Sequence, residues 1–319
     1  MTAQDKRAAA LGLVGECTDR LRGARQADDV RALASALAAR AHALQGDPDD
    51  RPYFTRTMSR IAHVVRAHGW VDVAADTLEW TIRQGAVDGY VLSELAECQL
   101  ARGDVDAAEA TLARARASQV ATDAIYTSLV KAHGRAGRPE LARRMFEQAR
   151  ADRALTSFTY PALIAAYAVA GDLAGAHRAF ESAQHDGFIT PPAYTALASA
   201  YVGVGEVARV DAVLACARRE GHSSSRLVLT TIRAHLEQRR FAVARRVLEE
   251  TKALGEADGA CYAVLIAACH KAGRHREAKR VFSSAATDVV LTPDDRRRIK
   301  YAHARTRREG AARDVTMAA

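Results

Sequence analysis

One spacing dominates this sequence. Steps of 34 residues in either direction from Tyr126 land on Met58, Leu92, Tyr160, Tyr194, Val228 and Tyr262. Three residues after these anchors come Ile61, Leu95, Leu129, Leu163, Leu197, Thr231 and Leu265. Six residues after them come Val64, Cys98, Ala132, Ala166, Ala200, Ala234 and Ala268. Offsets of three and six fall on one stripe of an α-helix, termed helix A. Gly69, Gly103, Gly137, Gly171, Gly205, Arg239 and Gly273 then punctuate the pattern. Glycine just past a helix end takes the left-handed conformation that stops the helix at little steric expense.

A second stripe, helix B, follows in every unit. Its small column is Ala74, Ala108, Ala142, Ala176, Val210, Ala244 and Ala278. Its large column is Leu78, Leu112, Phe146, Phe180, Leu214, Leu248 and Phe282. Thr81, Ala115, Ala149, Ala183, Ala217, Thr251 and Ala285 lie one turn further on. Seven columns keep register over seven units without insertion or deletion. A single helix pair cannot bury both stripes, so each unit must stack on its neighbours. The expected fold class is all-α, a right-handed superhelical solenoid of helix–turn–helix repeats. The unit anchored at Val228 has Thr231 and Arg239 in place of leucine and glycine, and the loosest packing is expected there.

The array occupies residues 55–292. Residues 1–54 are read as an N-terminal helical cap: Asp29 to Leu44 is amphipathic, and Gly46, Asp47, Pro48, Asp49 and Asp50 break it. Residues 293–319 are read as a basic capping helix and tail opened by Pro293, Asp294 and Asp295. An open array needs polar ends of this kind to stay soluble.

Composition agrees. Hydrophobic residues make up 49% of the 319, which excludes wholesale disorder, and the 7 prolines with few β-branched hairpin signals suit helices. The formal charge of +8 favours an acidic partner, nucleic acid being the commonest. From Asp294 onward eight basic residues (Arg296, Arg297, Arg298, Lys300, Arg305, Arg307, Arg308, Arg313) face four acidic ones. That segment reads either as a solvated end helix or as a phosphate-contacting tail. Five cysteines form no CxxC pair and read as small buried residues in a reducing compartment. No apolar run is long enough to span a membrane, and no secretory leader is evident.

Catalytic patterns are missing from the sequence. The eleven histidines make no HExxH or Hx3H arrangement, and there is no phosphate loop, GxSxG elbow or zinc-deaminase signature. The reading is a non-enzymatic protein with no cofactor, metal or small-molecule substrate.

The columns resemble two related families, the tetratricopeptide and pentatricopeptide repeats. Tyr126, Leu129, Val130, Ala132, Gly137, Arg138, Ala142 and Phe146 look like a pentatricopeptide unit. So do the units of Tyr160, Leu163 and Ile164, of Tyr194 and Leu197, and of Tyr262, Leu265, Ile266 and Gly273. The tyrosines and the β-branched residue after the leucine favour that family. Alanine after the Phe146 column and the 34-residue length match the tetratricopeptide side. The pentatricopeptide resemblance implies single-stranded RNA read along the inner surface, roughly one base per repeat. Its base-facing position follows the tyrosine, where Ser59, Ser93, Thr127 and Thr195 offer hydroxyls while Pro161, Leu229 and Ala263 offer none. Its second base-reading position corresponds to Asp88, Thr122, Thr156, Thr190, Ser224, Asp258 and Thr292; Asp88 with Ser59 is the pair nearest the family's usual combinations. Arg135 and Lys271 occupy its phosphate-contacting position, and Arg296, Arg297, Arg298, Lys300 and Arg305 add a basic end. The resemblance thus implies a helical-repeat adaptor binding single-stranded or structured RNA with weak sequence specificity, in RNA processing, translation or ribonucleoprotein assembly. The tetratricopeptide alternative is a protein–protein scaffold or a structural subunit of a large complex. Mitochondrion or chloroplast is the compartment implied by the family, and cytoplasm the alternative.

Overall fold

The computed structural model describes residues 3–21, 23–24, 26–43, 51–120, 122–287 and 291–304. Leu44, the 46–50 break, Arg305, Arg307, Arg308 and Arg313 lie outside the described residues. Among the described residues the secondary structure is helical throughout, and consecutive helices pack as antiparallel pairs. The chain divides into two compact units, Met1–Thr159 and Tyr160–Ala319.

In the first unit α1 (Ala3–Leu21) and α2 (Ala27–Ala43) precede three hairpins. These are α3 (Arg51–Ala67) with α4 (Val71–Arg83), α5 (Gly89–Ala101) with α6 (Val105–Ala117), and α7 (Asp123–Arg135) with α8 (Pro139–Ala151). Val30, Leu33, Leu37 and Ala41 of α2 are buried, as its amphipathic pattern requires. The second unit opens with α9 (Thr159–Val169) and α10 (Leu173–His185), followed by α11 (Pro191–Gly203) with α12 (Val207–Arg219). Next come α13 (Ser225–Glu237) with α14 (Phe241–Ala253), and α15 (Gly259–Lys271) with α16 (His275–Ala286). A last helix, α17, covers residues 293–304.

Odd-numbered helices from α3 to α15 are the A helices, and within each unit they stack on one another: α3 on α5 on α7, and α11 on α13 on α15. Among the described residues, consecutive B helices from α4 onward make no comparable contact within either unit. The A row is therefore the tightly packed layer. The anchor side chains fill it: Met58, Leu92, Tyr126, Tyr160, Val228 and Tyr262 are wholly buried.

Capping explains where each A helix begins. Asp88, Ser224 and Asp258 accept hydrogen bonds from the backbone N–H of Val91, Leu227, and both Ala260 and Cys261. Thr122 and Thr190 hold the same position without a side-chain capping bond. Thr156 accepts from Phe158 N, and Thr292 closes a reciprocal capping box with Asp295. The column read from the resemblance as a second base-reading position is, physically, the N-cap column of helix A.

One outcome differs from the sequence reading. Val228 and Thr231 are both fully buried, so that repeat is not loosely packed at its columns. Its penalty is conformational: Arg239 takes φ of +56° where the neighbouring repeats use Gly205 and Gly273. The last helix, α17, keeps the repeat register. Arg296 falls in the anchor column, Ile299 in the leucine column with 2% exposure, and Ala302 in the small column. Asp295 also accepts from Gly259 N at 3.1 Å, tying α17 to the start of α15.

Candidate nucleic-acid interface

In the first unit the A helices present Ser59 and Ser93 half-buried. The Ser59 hydroxyl donates to the Tyr90 carbonyl at 3.2 Å, and the Arg56 guanidinium lies 5.3 Å from the Tyr90 ring centre. Tyr90 is 57% exposed, which gives an aromatic face backed by a cation. Phe158, two residues before its own anchor as Tyr90 is before Leu92, is also exposed. Sequence reasoning passed over both. Their signal was a large aromatic on the polar side of the helix A stripe.

Thr127 behaves otherwise. It is buried, and its hydroxyl is 3.0 Å from that of Thr159, so it is engaged inside the protein and not offered to a ligand. Thr195 donates to the Pro191 carbonyl one turn earlier. Asp88 is half-buried and engaged as a cap. Arg135 is exposed at the end of α7, well away in sequence from Ser59 and Ser93. The hydroxyl column therefore presents little free hydrogen-bonding capacity for distinguishing one base from another.

The second unit holds the cationic part. A groove of about 710 Å³ is lined by Arg233, Arg239, Lys271 and Arg274, with Glu237 the one acid and Leu236, Phe241, Val264 and Ala268 as apolar floor. Arg274 sits 4.6 Å over the Phe241 ring and pairs with Glu277 at 3.0 Å. Of the sequence-derived candidates only Lys271 lines it. Arg233, Arg239 and Arg274 belong to different columns and converge through the stacking of α13 on α15. On α17, Arg297, Arg298 and Lys300 are exposed; Arg297 lies 3.9 Å from Asp294. Arg296 reaches back to the Leu291 carbonyl.

Buried titratable groups serve packing. His133 and His235 are 2% and 1% exposed. Their Nε2 atoms lie 3.0 and 2.9 Å from the carboxylates of Glu109 and Asp211, each 24 residues earlier. Nδ1 of each ring has no partner among the described residues. Comparing columns would have found both pairs, since histidine and acid recur together at one offset. Cys17, Cys98, Cys261 and Cys269 are buried free thiols; burial pushes Cys98 and Cys261 up to about 12, the reverse of a nucleophile's activation. Among the described residues no His, Cys, Asp and Glu group is arranged to hold a metal ion, and no helix is long and apolar enough to cross a membrane.

Residues 89–114 match the tetratricopeptide repeat model, and residues 124–152 and 260–284 match the PPR repeat model. No curated protein matches the chain in sequence. Among solved structures, the pentatricopeptide repeat protein PPR10 in complex with an 18-nt psaJ RNA element is similar, with a TM-score of 0.53 at 17% identity. The likeness covers 92% of this chain and 47% of that one, so the chain spans about half the length of that relative. PPR10 from maize gives a TM-score of 0.47 at 19% identity, over 99% of this chain and 44% of that one. A tetratricopeptide repeat protein from Parabacteroides merdae gives 0.48 at 11%, over 77% and 93%. The PPR10 complex agrees with this chain in fold: helical hairpins repeated in tandem.

Proposed function

We propose that this helical-repeat protein is a non-enzymatic adaptor that binds RNA mainly through its phosphates, with weak sequence specificity. The observation that carries the reading is the groove over α13 and α15, where four cations converge on an apolar floor beside a single acid. Such a groove attracts a polyanion and gives an unstacked base an apolar surface to lie on. The exposed Tyr90 and Phe158 rings provide further stacking surfaces in the first unit. The engaged hydroxyls of Thr127 and Thr195 support weak specificity. Similarity of fold to PPR10, which was solved with RNA bound, is consistent with this reading. Arg135, Arg296, Arg297, Arg298 and Lys300 add phosphate contacts beyond the groove.

The test is fluorescence anisotropy with mixed-sequence single-stranded RNA over a series of salt concentrations. Affinity is expected to fall steeply with salt, and Lys271→Ala with Arg274→Ala to weaken binding on every sequence alike. Absence of affinity at low salt would sink the RNA reading. The tetratricopeptide match at residues 89–114 then favours a protein-binding scaffold, testable by recovery of a stoichiometric protein partner from nuclease-treated extract.

A further inference from the structure

The B helices carry a charge pattern of their own. Four of their columns carry most of it. In the first hairpin they hold Asp72, Ala75, Asp76 and Glu79; in the last they hold Arg276, Lys279, Arg280 and Ser283. The formal charge at these positions is three negative on α4 and three positive on α16. The whole sequence is skewed likewise. Residues 1–200 contain 23 basic and 24 acidic side chains, and residues 201–319 contain 23 basic and 14 acidic.

On α16 the three cations lie at i, i+3 and i+4, hence on one face, and all three are exposed. No acid among the described residues pairs with them, whereas the arginines of α8 and α12, such as Arg143 and Arg209, are paired by Glu140 and Glu206. Arg276 is two residues past Arg274 of the groove, which ends the turn from α15 and caps α16. Cationic side chains therefore continue from the groove, at the α16 N-cap, into the exposed row of α16.

From this continuity we infer that the B face of α16 is a second phosphate-binding surface, and that RNA leaving the groove crosses the turn at Arg274 and lies along Arg276, Lys279 and Arg280. The inference rests on the RNA reading above and extends the bound surface beyond the A row. A polyanion is the fitting occupant because three unpaired cations in one row repel one another until phosphates neutralise them.

The test uses the full chain with Arg276→Gln, Lys279→Gln and Arg280→Gln combined; glutamine at exposed helix positions preserves folding, checked by the thermal melt. Two mixed-sequence RNAs are compared, about 8 nucleotides, enough for the groove alone, and about 25 nucleotides. The triple variant should bind the long RNA about tenfold or more weakly, with the salt slope reduced by about 2, and the short RNA unchanged within about twofold. Equal affinity of variant and wild type for the long RNA would overturn the inference and leave the groove reading standing. Equal weakening on both lengths would overturn it as well, since the ridge would then be part of the groove site. Failure of the wild type to bind either RNA would overturn both readings.

Discussion

The phenol of Tyr126 donates a hydrogen bond to the carboxylate of Asp152 at 2.6 Å. The anchor of helix A is thereby joined to the C-cap of helix B in the same repeat, 26 residues later. Tyr160 with Asp186 and Tyr194 with Glu220 repeat the arrangement at the same offset. A carboxylate at a helix C-terminus faces the negative end of the macrodipole, so it needs an opposing donor. The tyrosine is that donor, and at Asp152 the Arg116 guanidinium of the preceding repeat, 2.8 Å away, is a second.

Tyr126→Phe removes the donor while preserving the buried ring. Asp152 keeps Arg116 and solvent, so the loss should be about 1.5 kcal/mol, the low end for a hydrogen bond to a charged group. Chemical denaturation measures it, and RNA affinity should be unaffected. An unchanged unfolding midpoint would show that the phenol's role is only apolar.

The same link makes acid destabilise the repeat. Hydrogen bonds from Tyr194 and then Cys216 hold Glu220 below the usual carboxylate range. A lowered folded-state pKa contributes stability above the unfolded pKa, near 4 for glutamate. That contribution disappears as pH falls through the lower folded value. Melting of wild type and Tyr194→Phe from neutral pH to about pH 3 should therefore converge at the acid end. A constant gap across that range would contradict the assignment.

Arg239 should separate stability from binding. Glycine there relieves a left-handed conformation, worth about 1 kcal/mol, so Arg239→Gly is expected to raise the melting temperature. The same change removes a cation of the groove and should weaken RNA binding. Gln119 and Arg153 are also left-handed but do not line that groove; Gln119→Gly should stabilise without the binding loss.

Gly259 is the glycine whose missing Cβ matters most to the end of the array. A methyl there would come within 2.7 Å of the Asp295 backbone, so Gly259→Ala must push α17 away from α15. Proteolysis should then cut the α16–α17 connection faster, while the melting of earlier repeats changes little. Wild-type cutting rates would disprove the tie.

Thiol labelling tests the burial pattern. Cys216 is half-buried and the other four thiols are buried. Burial raises Cys98 to about 12, so its neutral form favours the fold below the unfolded thiol value of 9.0, and that stability is lost as pH rises from there towards about 12. Native protein at mildly alkaline pH should expose one cysteine to alkylation, and all five only on unfolding. Rapid labelling of Cys98 in the native state would refute this.

Much of the fold was legible because local periodicity fixes which face of a helix is apolar. Tyr126, Leu129 and Ala142 needed no tertiary information to be placed in a core, and the 34-residue spacing dictated paired helices and stacking. The polar partners were not legible. Thr127 reads as a free hydroxyl until the stacking of hairpins brings Thr159 to it, and Asp88 reads as a ligand until the start of α5 makes it a cap. Arg233, Arg239 and Lys271 share no column, and only the packing of α13 against α15 gathers them around one groove. Sequence by itself determined the repeat, its register and its helical pairing, because burial of a stripe is a property of one helix. Tertiary structure decided which polar groups remain available to a partner, because a hydrogen bond or a cluster of charge depends on residues a repeat or more away.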